Sequence, residues 1–470
     1  MITQIEIDGF KTFKEFKVEL APFQVIVGPN GSGKSNLFDA LRLLSRLADT
    51  DLLSAFQELR GDAGELFTKL PDGQSVDRIK MAVEMLVDRM VRDRWGAEVV
   101  LEDNRLRYEL EIARGVSESG LENLHITHEE LKSIPAGTDA WYKKHRIFSQ
   151  TKNRRYFIQT KQEGFLSSAV RDPHLADVPR VPMIRLRRDG RGQSKDFTAE
   201  KIKGAVLSSV IDTQYRHAFA ARQELLSLRF LHLNPGVLRK PSPANSPRFL
   251  SEDGDNLPTT IARMQEEDKF ALVDVSRDMA NLVPSILEIR VEQDKASDKY
   301  VIYAETSDRR SFSSKVLSDG TLRLLALTTL RNDPQFEGIL CLEEPENGVH
   351  PLRLRNMTRL LREMATDFND LERADEPLRQ VLVTTHSPAL ISQPEVVSSL
   401  LFAYTVTQIV PGQPTLEVTR MVPVIINKEQ SGAIAGTDID RAEASYTLDE
   451  VRKYLDSEVM NDALIHLGKR

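Results

Sequence analysis

Apolar and polar residues alternate over the first eight positions, and Ile2, Ile5 and Ile7 mark a strand there. Phe16, Val18 and Leu20 repeat the pattern in a second strand, and Phe23 to Val27 form a short run of buried-strand character. A glycine-rich turn follows. The spacing then changes: Leu37, Phe38, Leu41, Leu44 and Leu47 predict a helix over Asn36 to Ala48. Residues 49–115 predict more helix, then strands around Glu98 to Leu101 and Arg107 to Ile112. Between about 116 and 260 the periodicity weakens, although a helix is expected over Ala205 to Leu228. Pro241, Pro243 and Pro247 mark a loop. Leu257 to Leu282 then predicts a helix, Ile286 to Val291 and Tyr300 to Ala304 predict strands, and Asp308-Arg-Arg predicts a hairpin turn. From Leu317 to Ile391 strand and helix alternate, the pattern of an α/β sheet.

With 470 residues, 40% of them hydrophobic and 28% charged, the chain has the balance of a globular protein large enough for two or three lobes. Its net charge of −7 argues against a polybasic nucleic-acid binder as a whole. The single cysteine, Cys341, excludes an internal disulfide framework and fits a reducing cytoplasm. The alternating N-terminus lacks the form of a secretory signal, and runs such as Leu400 to Val410 fall short of the roughly 18 residues that span a bilayer. Secretion and membrane embedding are therefore not expected.

Gly28-Pro-Asn-Gly-Ser-Gly-Lys-Ser35 fits the phosphate-binding pattern G-x-x-x-x-G-K-[ST], with a strand before it and a helix after it. Asn30, Gly31, Ser32, Gly33, Lys34, Ser35 and Asn36 are the expected contacts to ATP. Backbone amides and the helix N-terminus cradle phosphate, Lys34 reaches the β- and γ-phosphates, and the Ser35 hydroxyl ligates Mg²⁺. The apolar strand Gly338 to Leu342 runs into Glu343-Glu344-Pro345. A carboxylate at such a strand end can hold Mg²⁺ and the next can polarise a water, so Glu343 is assigned to metal and Glu344 to the base. The strand Gln380 to Thr385 ends at His386, placed to sense the γ-phosphate. Ser318 and Gly320 open an apolar helix and leave amides free for an anion, although Ser-x-Gly is also an ordinary helix cap.

In this order the segments resemble the ATP-binding-cassette superfamily on its SMC/RecF/OLD-like branch, and most of all bacterial AAA-labelled ATPases built like compact RecF proteins. Gly28 to Ser35 matches the Walker A motif, Leu317 to Thr321 the signature, Leu342 to Pro345 the Walker B motif and His386 the switch histidine. Gly9-Phe-Lys-Thr-Phe13, Ser251 to Leu257 and Glu344 to Pro351 add branch-specific segments. The sequence departs from the pattern at Glu343, where Asp is usual, at Asp319 in the signature, and at His350 in the D-loop position. No Q-loop glutamine can be placed in residues 49–115.

The resemblance implies an α/β fold, an ABC-type ATPase head with a mixed-sheet lobe, a parallel-sheet RecA-like lobe with helices, and a mixed insertion. Residues 1–115 and 257–400 are expected to form the two halves of the head, 116–256 the insertion and 401–470 a C-terminal extension. It also implies that the signature of one copy caps the nucleotide of another, so an ATP-dependent homodimer is expected, with Ser318 and Gly320 reaching across.

Between Trp141 and Lys195 the chain carries 14 Lys/Arg against 4 Asp/Glu, interleaved with Trp141, Tyr142, Phe148, Tyr156, Phe157 and Phe165. Such a segment can contact DNA or RNA, with Arg185, Arg187 and Arg188 as first candidates, or it can be a solvated basic surface with core aromatics. His128-Glu129-Glu130 lacks the second histidine of a metalloprotease motif, and Asp438 and Asp440 do not make the acidic triad of an appended nuclease. Thr447-Leu-Asp-Glu450 predicts a capping box for a terminal helix that packs on its own domain or docks a partner. Two tasks remain open: an ATPase that licenses a separate effector protein in bacterial anti-phage defence, or a RecF-like maintenance ATPase that clamps DNA.

Overall fold

The computed structural model describes residues 1–116, 122–144, 164–170, 182–188, 194–199, 202–247, 249–370, 372–373, 376–408, 415–425 and 446–455. The chain opens with β1 (Ile2–Asp8), β2 (Phe16–Glu19), β3 (Phe23–Val27), α1 (Lys34–Leu47) and α2 (Leu52–Gln57). Then come β4 (Arg78–Leu86), the small hairpin β5 (Met90–Arg92) and β6 (Glu98–Val100), β7 (Arg105–Val116) and β8 (Glu122–Ser133). The short α3 (Ala140–Lys144) precedes β9 (Gly164–Val170), β10 (Pro182–Arg187) and β11 (Ser194–Thr198). Next are α4 (Arg216–Leu226), β12 (Leu228–Leu231), α5 (Pro235–Leu238), β13 (Ser242–Pro243), α6 (Leu257–Glu267) and α7 (Ala271–Leu282). β14 (Ile286–Asp294), β15 (Lys299–Thr306) and β16 (Ser311–Ser313) lead to α8 (Asp319–Asn332), β17 (Gly338–Glu343), α9 (Pro351–Met364) and β18 (Arg379–Thr385). The chain continues through α10 (Pro388–Ile391), α11 (Pro394–Val397), β19 (Leu400–Gln408), β20 (Leu416–Ile425), β21 (Tyr446–Thr447) and α12 (448–455).

Two large sheets carry the molecule. One has eight strands in the order β11-β10-β9-β8-β7-β4-β1-β2, and every pair in it is antiparallel. The other has the order β12-β17-β18-β3-β19-β20-β21, with β12 through β19 parallel. Alternate residues of its apolar runs serve two cores. Ile26, Ile339, Cys341 and Leu382 face α1, α4 and the antiparallel sheet, while Val25, Val27, Leu340, Leu342 and Val383 face the helices α6 to α9. A strand buried on both faces needs no polar alternation, hence the continuous runs at β3, β17 and β18.

Several elements differ from expectation. Helix α1 begins at Lys34 rather than Asn36, because Gly33 at φ 92° ends the turn and the following residues are already helical. The helix expected over 205–228 is instead a 3₁₀ turn, Val206–Ser209, followed by α4, and Leu228 already belongs to a strand. Asp268 adopts an extended backbone and splits the helix expected over 257–282 into α6 and α7. In residues 49–115 the helix expected is the short α2, and the strands begin earlier than expected, at Arg78.

The 3₁₀ turn is pinned by a buried carboxylate on β8. Glu129 accepts bonds from the amides of Val206 (2.7 Å) and Leu207 (2.9 Å) and from the Tyr108 hydroxyl (3.0 Å). Burial pushes its pKa up to about 7 from an ordinary 4.5, against those hydrogen bonds. The folded chain therefore holds a proton that the unfolded chain releases above about pH 4.5. Stability from this group is full below that pH and is lost as pH rises through about 7. Melting temperatures recorded between pH 5 and 8 should fall with pH, and Glu129→Gln should flatten that slope.

Candidate nucleotide site

The turn between β3 and α1 has the backbone of a phosphate cradle. Gly31 and Gly33 sit at φ 79° and 92°, and a Cβ on Gly33 would lie 2.2 Å from Thr419 Oγ1, so no side chain fits there. Asn30 and Gly31 are exposed at its rim, while Ser35 and Asn36 are half-buried in the first helical turn. Asn36 Nδ2 donates to Thr12 Oγ1 (2.9 Å), which in turn bonds Thr419 Oγ1 (2.7 Å), tying the cradle to the N-terminal turn and β20.

The donor set fits a polyphosphate. Lys34 is buried and its ammonium donates to the Gly28 and Pro29 carbonyls, both at 2.7 Å, folding back over the loop. The Ser32 hydroxyl is buried and has no hydrogen-bond partner among the described residues. Helix α1 has neither a side-chain cap nor an acidic residue in its first turn, so its leading amides meet no competing carboxylate. An orphaned buried donor, a buried cation and open helix amides together make an anion site.

Parallel register delivers the carboxylates to the same edge. Glu343 pairs across to Thr384, and Thr385 to Val27, the last residue before the cradle. Glu344 leaves the strand with φ 47°, a left-handed backbone for a residue with a side chain, while its amide bonds Thr384 O (2.9 Å). Its Oε1 lies 2.8 Å from His386 Nδ1, and Asn347 Nδ2 donates to Oε2 at 2.7 Å. Burial alone would raise the Glu344 pKa. The bonds from Asn347 and His386 and the charge of Lys34 outweigh it and hold the carboxyl below its usual value, in the form that accepts a proton. The neighbouring Glu346 is raised by burial; its Oε1 bonds the Thr385 hydroxyl, and its Oε2 has no partner among the described residues.

Ser318 caps α8, its hydroxyl accepting from Thr321 N at 3.2 Å, and stays exposed with Asp319. Gly320 is buried where a Cβ would meet Gly348 O at 2.3 Å, so the signature packs directly on the D-loop segment. There His350 caps α9 through Nδ1 to Leu352 N (3.3 Å). The structure thus gathers the cradle, Glu343, Glu344 and His386 on one edge, and the signature with the D-loop beside it. Strand β12 pairs Leu231 with Leu342, so the chain leaves the sheet at His232 level with Glu343.

Elsewhere the reading narrows. Trp141 and Phe165 are buried, Trp141 against Arg105 and Phe165 stacked on His217 at 4.1 Å, so neither can stack on bases. Phe148, Tyr156 and Phe157 lie outside the described residues, as do Asp438 and Asp440. Arg185 pairs with Asp196, while Arg187 and Arg188 are exposed. Glu109, His128 and Glu130 come together, but Lys132 bonds both carboxylates and Arg107 bonds Glu109, so their charge is already balanced. The capping box forms, with Thr447 N donating to Glu450 at 2.8 Å, and Val451 and Leu455 are buried in the core. The C-terminal helix packs on its own domain.

A parallel sheet whose strand ends carry a Walker A cradle, two carboxylates and a histidine, joined to an antiparallel lobe and a signature helix, defines an SMC-like ATPase head of the ATP-binding-cassette type. Residues 23–392, more than three quarters of the chain, match the AAA_21 family, described as "AAA domain, putative AbiEii toxin, Type IV TA system", and the chain belongs to that family. It is also similar to two chromosome partition proteins Smc. That of Thauera aminoaromatica is 26% identical over 247 residues, 49% of this chain and 19% of the relative. That of Bordetella petrii is 28% identical over 151 residues, 32% of this chain and 12% of the relative. The chain thus spans a fifth or less of the curated relatives it matches. Among solved structures, an Smc head bound to the C-terminal winged-helix domain of ScpA is 12% identical with a TM-score of 0.45, covering 90% of this chain and 97% of that one. The SMC head domain from Thermotoga maritima is 13% identical with a TM-score of 0.38, covering 90% and 99%. Among the described residues no helix is long and apolar enough to cross a membrane.

Lys34→Ala should weaken ATP binding about a hundredfold, the loss of about 3 kcal/mol expected for removing charge-assisted bonds to phosphate. Titration with a fluorescent ATP analogue measures this, with circular dichroism checking the fold.

Proposed function

We propose that the chain is an ATP- and Mg²⁺-dependent ATPase that closes as a homodimer on ATP and passes its nucleotide state to a separate effector protein. The observation that carries the reading is the Glu344–His386 pair at 2.8 Å, on the sheet edge that also ends in the phosphate cradle. The amides of Asn30 to Asn36 and the Ser32 hydroxyl bind phosphate, and Lys34 turns from the two loop carbonyls to the β- and γ-phosphates. Ser35 and Glu343 hold Mg²⁺, which supplies charge neutralisation for the triphosphate. Glu344 takes the proton of the attacking water, and His386 orients that carboxylate and lies close to the γ-phosphate. One chain carries one cradle and one signature, so Ser318 and Gly320 complete the site of a second copy.

A role in bacterial anti-phage defence, in the cytoplasm, is supported by the family's description, which names a toxin–antitoxin system. The alternative, a RecF-like clamp on DNA, draws support from the basic segment Trp141 to Lys195, where Arg187 and Arg188 are exposed. Purified Glu344→Gln protein, able to bind but not hydrolyse ATP, should double its mass by light scattering when ATP and Mg²⁺ are added. An unchanged mass would count against the dimer. Affinity capture from the native host should return one stoichiometric protein, and a gel-shift series with DNA in place of that protein would favour the clamp.

A further inference from the structure

The signature of this chain departs from its family pattern at Asp319, and the structure shows what the departure requires. Asp319 is exposed at the mouth of α8, where the helix amides point outward. A carboxylate there suits the helix dipole of its own chain. It also faces outward beside Ser318, where in the dimer proposed above a triphosphate would approach, and like charges repel across such a contact. One residue answers both demands. Arg239, at the end of α5, pairs with Asp319, and its other terminal nitrogen donates to the Leu317 carbonyl at 2.5 Å and the Lys315 carbonyl at 3.3 Å. The Ser314 hydroxyl donates back to the Arg239 carbonyl at 3.0 Å. Only a guanidinium has the fork to hold a carboxylate and two carbonyls at once.

The segment bearing Arg239 starts at the nucleotide edge. Residues 232–239 run from the end of β12, level with Glu343, to the signature. His232 N bonds Glu252 O (2.9 Å) and Asn234 N bonds Asp253 O (3.1 Å), and the Glu252 carboxylate is held by Arg42 of α1, the helix that begins with Lys34 and Ser35. Leu238 is fully buried against Gly254, so the strap is packed rather than loose. We infer that Arg239 is a positioning residue for the signature: it neutralises Asp319, fixes the Ser318–Gly320 amides, and ties them to the cradle helix of the same chain. This rests on the dimer reading above, and the test separates the two.

The measurement is the ATP-dependent dimer dissociation constant of Glu344→Gln protein by light scattering, alongside analogue binding to the monomer and melting temperature. Adding Arg239→Ala should weaken the dimer about tenfold or more. Monomer nucleotide affinity should stay within about twofold, since the cradle itself is untouched. Adding Asp319→Asn to Arg239→Ala should recover part of the loss, because the unneutralised charge is gone. Arg239→Lys should recover little, lacking the fork. If the Glu344→Gln parent never dimerises, the dimer reading falls and this inference with it. If the parent dimerises and Arg239→Ala dimerises equally well, only the inference falls. A loss that Asp319→Asn does not relieve, or that comes with weaker monomer binding or a lower melting temperature, makes Arg239 a general structural contact and overturns the assignment.

Discussion

Everything at the site depends on the parallel pairing of β17, β18 and β3. Parallel strands end on the same side of their sheet, and here the three ends deliver Glu343-Glu344, His386 and the phosphate cradle to one line. The cradle lies more than 300 residues before Glu343 and His386 lies 42 residues after Glu344, yet one slip in register would move Glu344 away from His386. The register is held because alternate residues of the same strands serve two different cores. A shift by one would put every inward side chain into the wrong core. Packing on the two faces thus fixes the distance between a base and its orienting histidine, with no local interaction needed to do it.

Charge follows a similar economy. The chain is acidic overall, but two of its buried arginines are individually compensated. Arg105 is fully buried and bonds Asp139, Thr3 and Glu84, and Arg263 pairs with Asp333. Removing one partner of such a pair leaves an uncompensated charge in a poor dielectric, which costs more than the pair ever contributed. The functional groups sit in the opposite condition. Ser32 has a hydroxyl and Glu346 an oxygen without a partner among the described residues, and Glu344 a left-handed backbone, all within one edge of the sheet.

What the sequence revealed was what short stretches encode. The cradle is eight consecutive residues whose glycines and lysine act through their own backbone, so Gly28 to Ser35 can be read without the fold. Glu343 and Glu344 were legible because an apolar strand stops directly at them, and Ser318 because a helix must be capped where it starts. Failures share a cause in distance along the chain. The 3₁₀ turn at Val206 is fixed by Glu129, 77 residues away, which overrules the local periodicity. The aromatics Trp141 and Phe165, open between base stacking and core in the sequence, are core by packing: Phe165 lies on β9 of the sheet begun at Ile2, and Trp141 on α3 packs with Met1, Leu86, Phe368 and Leu378. Arg239 meets Asp319 across 80 residues, and nothing in either segment announces the other.

Cys341 lies within the carboxylate strand, two residues before Glu343, fully enclosed, and burial drives its thiol well above the ordinary range. It is the chain's sole sulfhydryl. A group so protonated and so enclosed is sheltered from alkylating reagents and peroxide alike, so oxidants have no handle on the nucleotide edge through it. The protein is in effect a naturally silent background for thiol chemistry: any cysteine introduced at its surface can carry a dye or a spin label alone, without removing a native residue first.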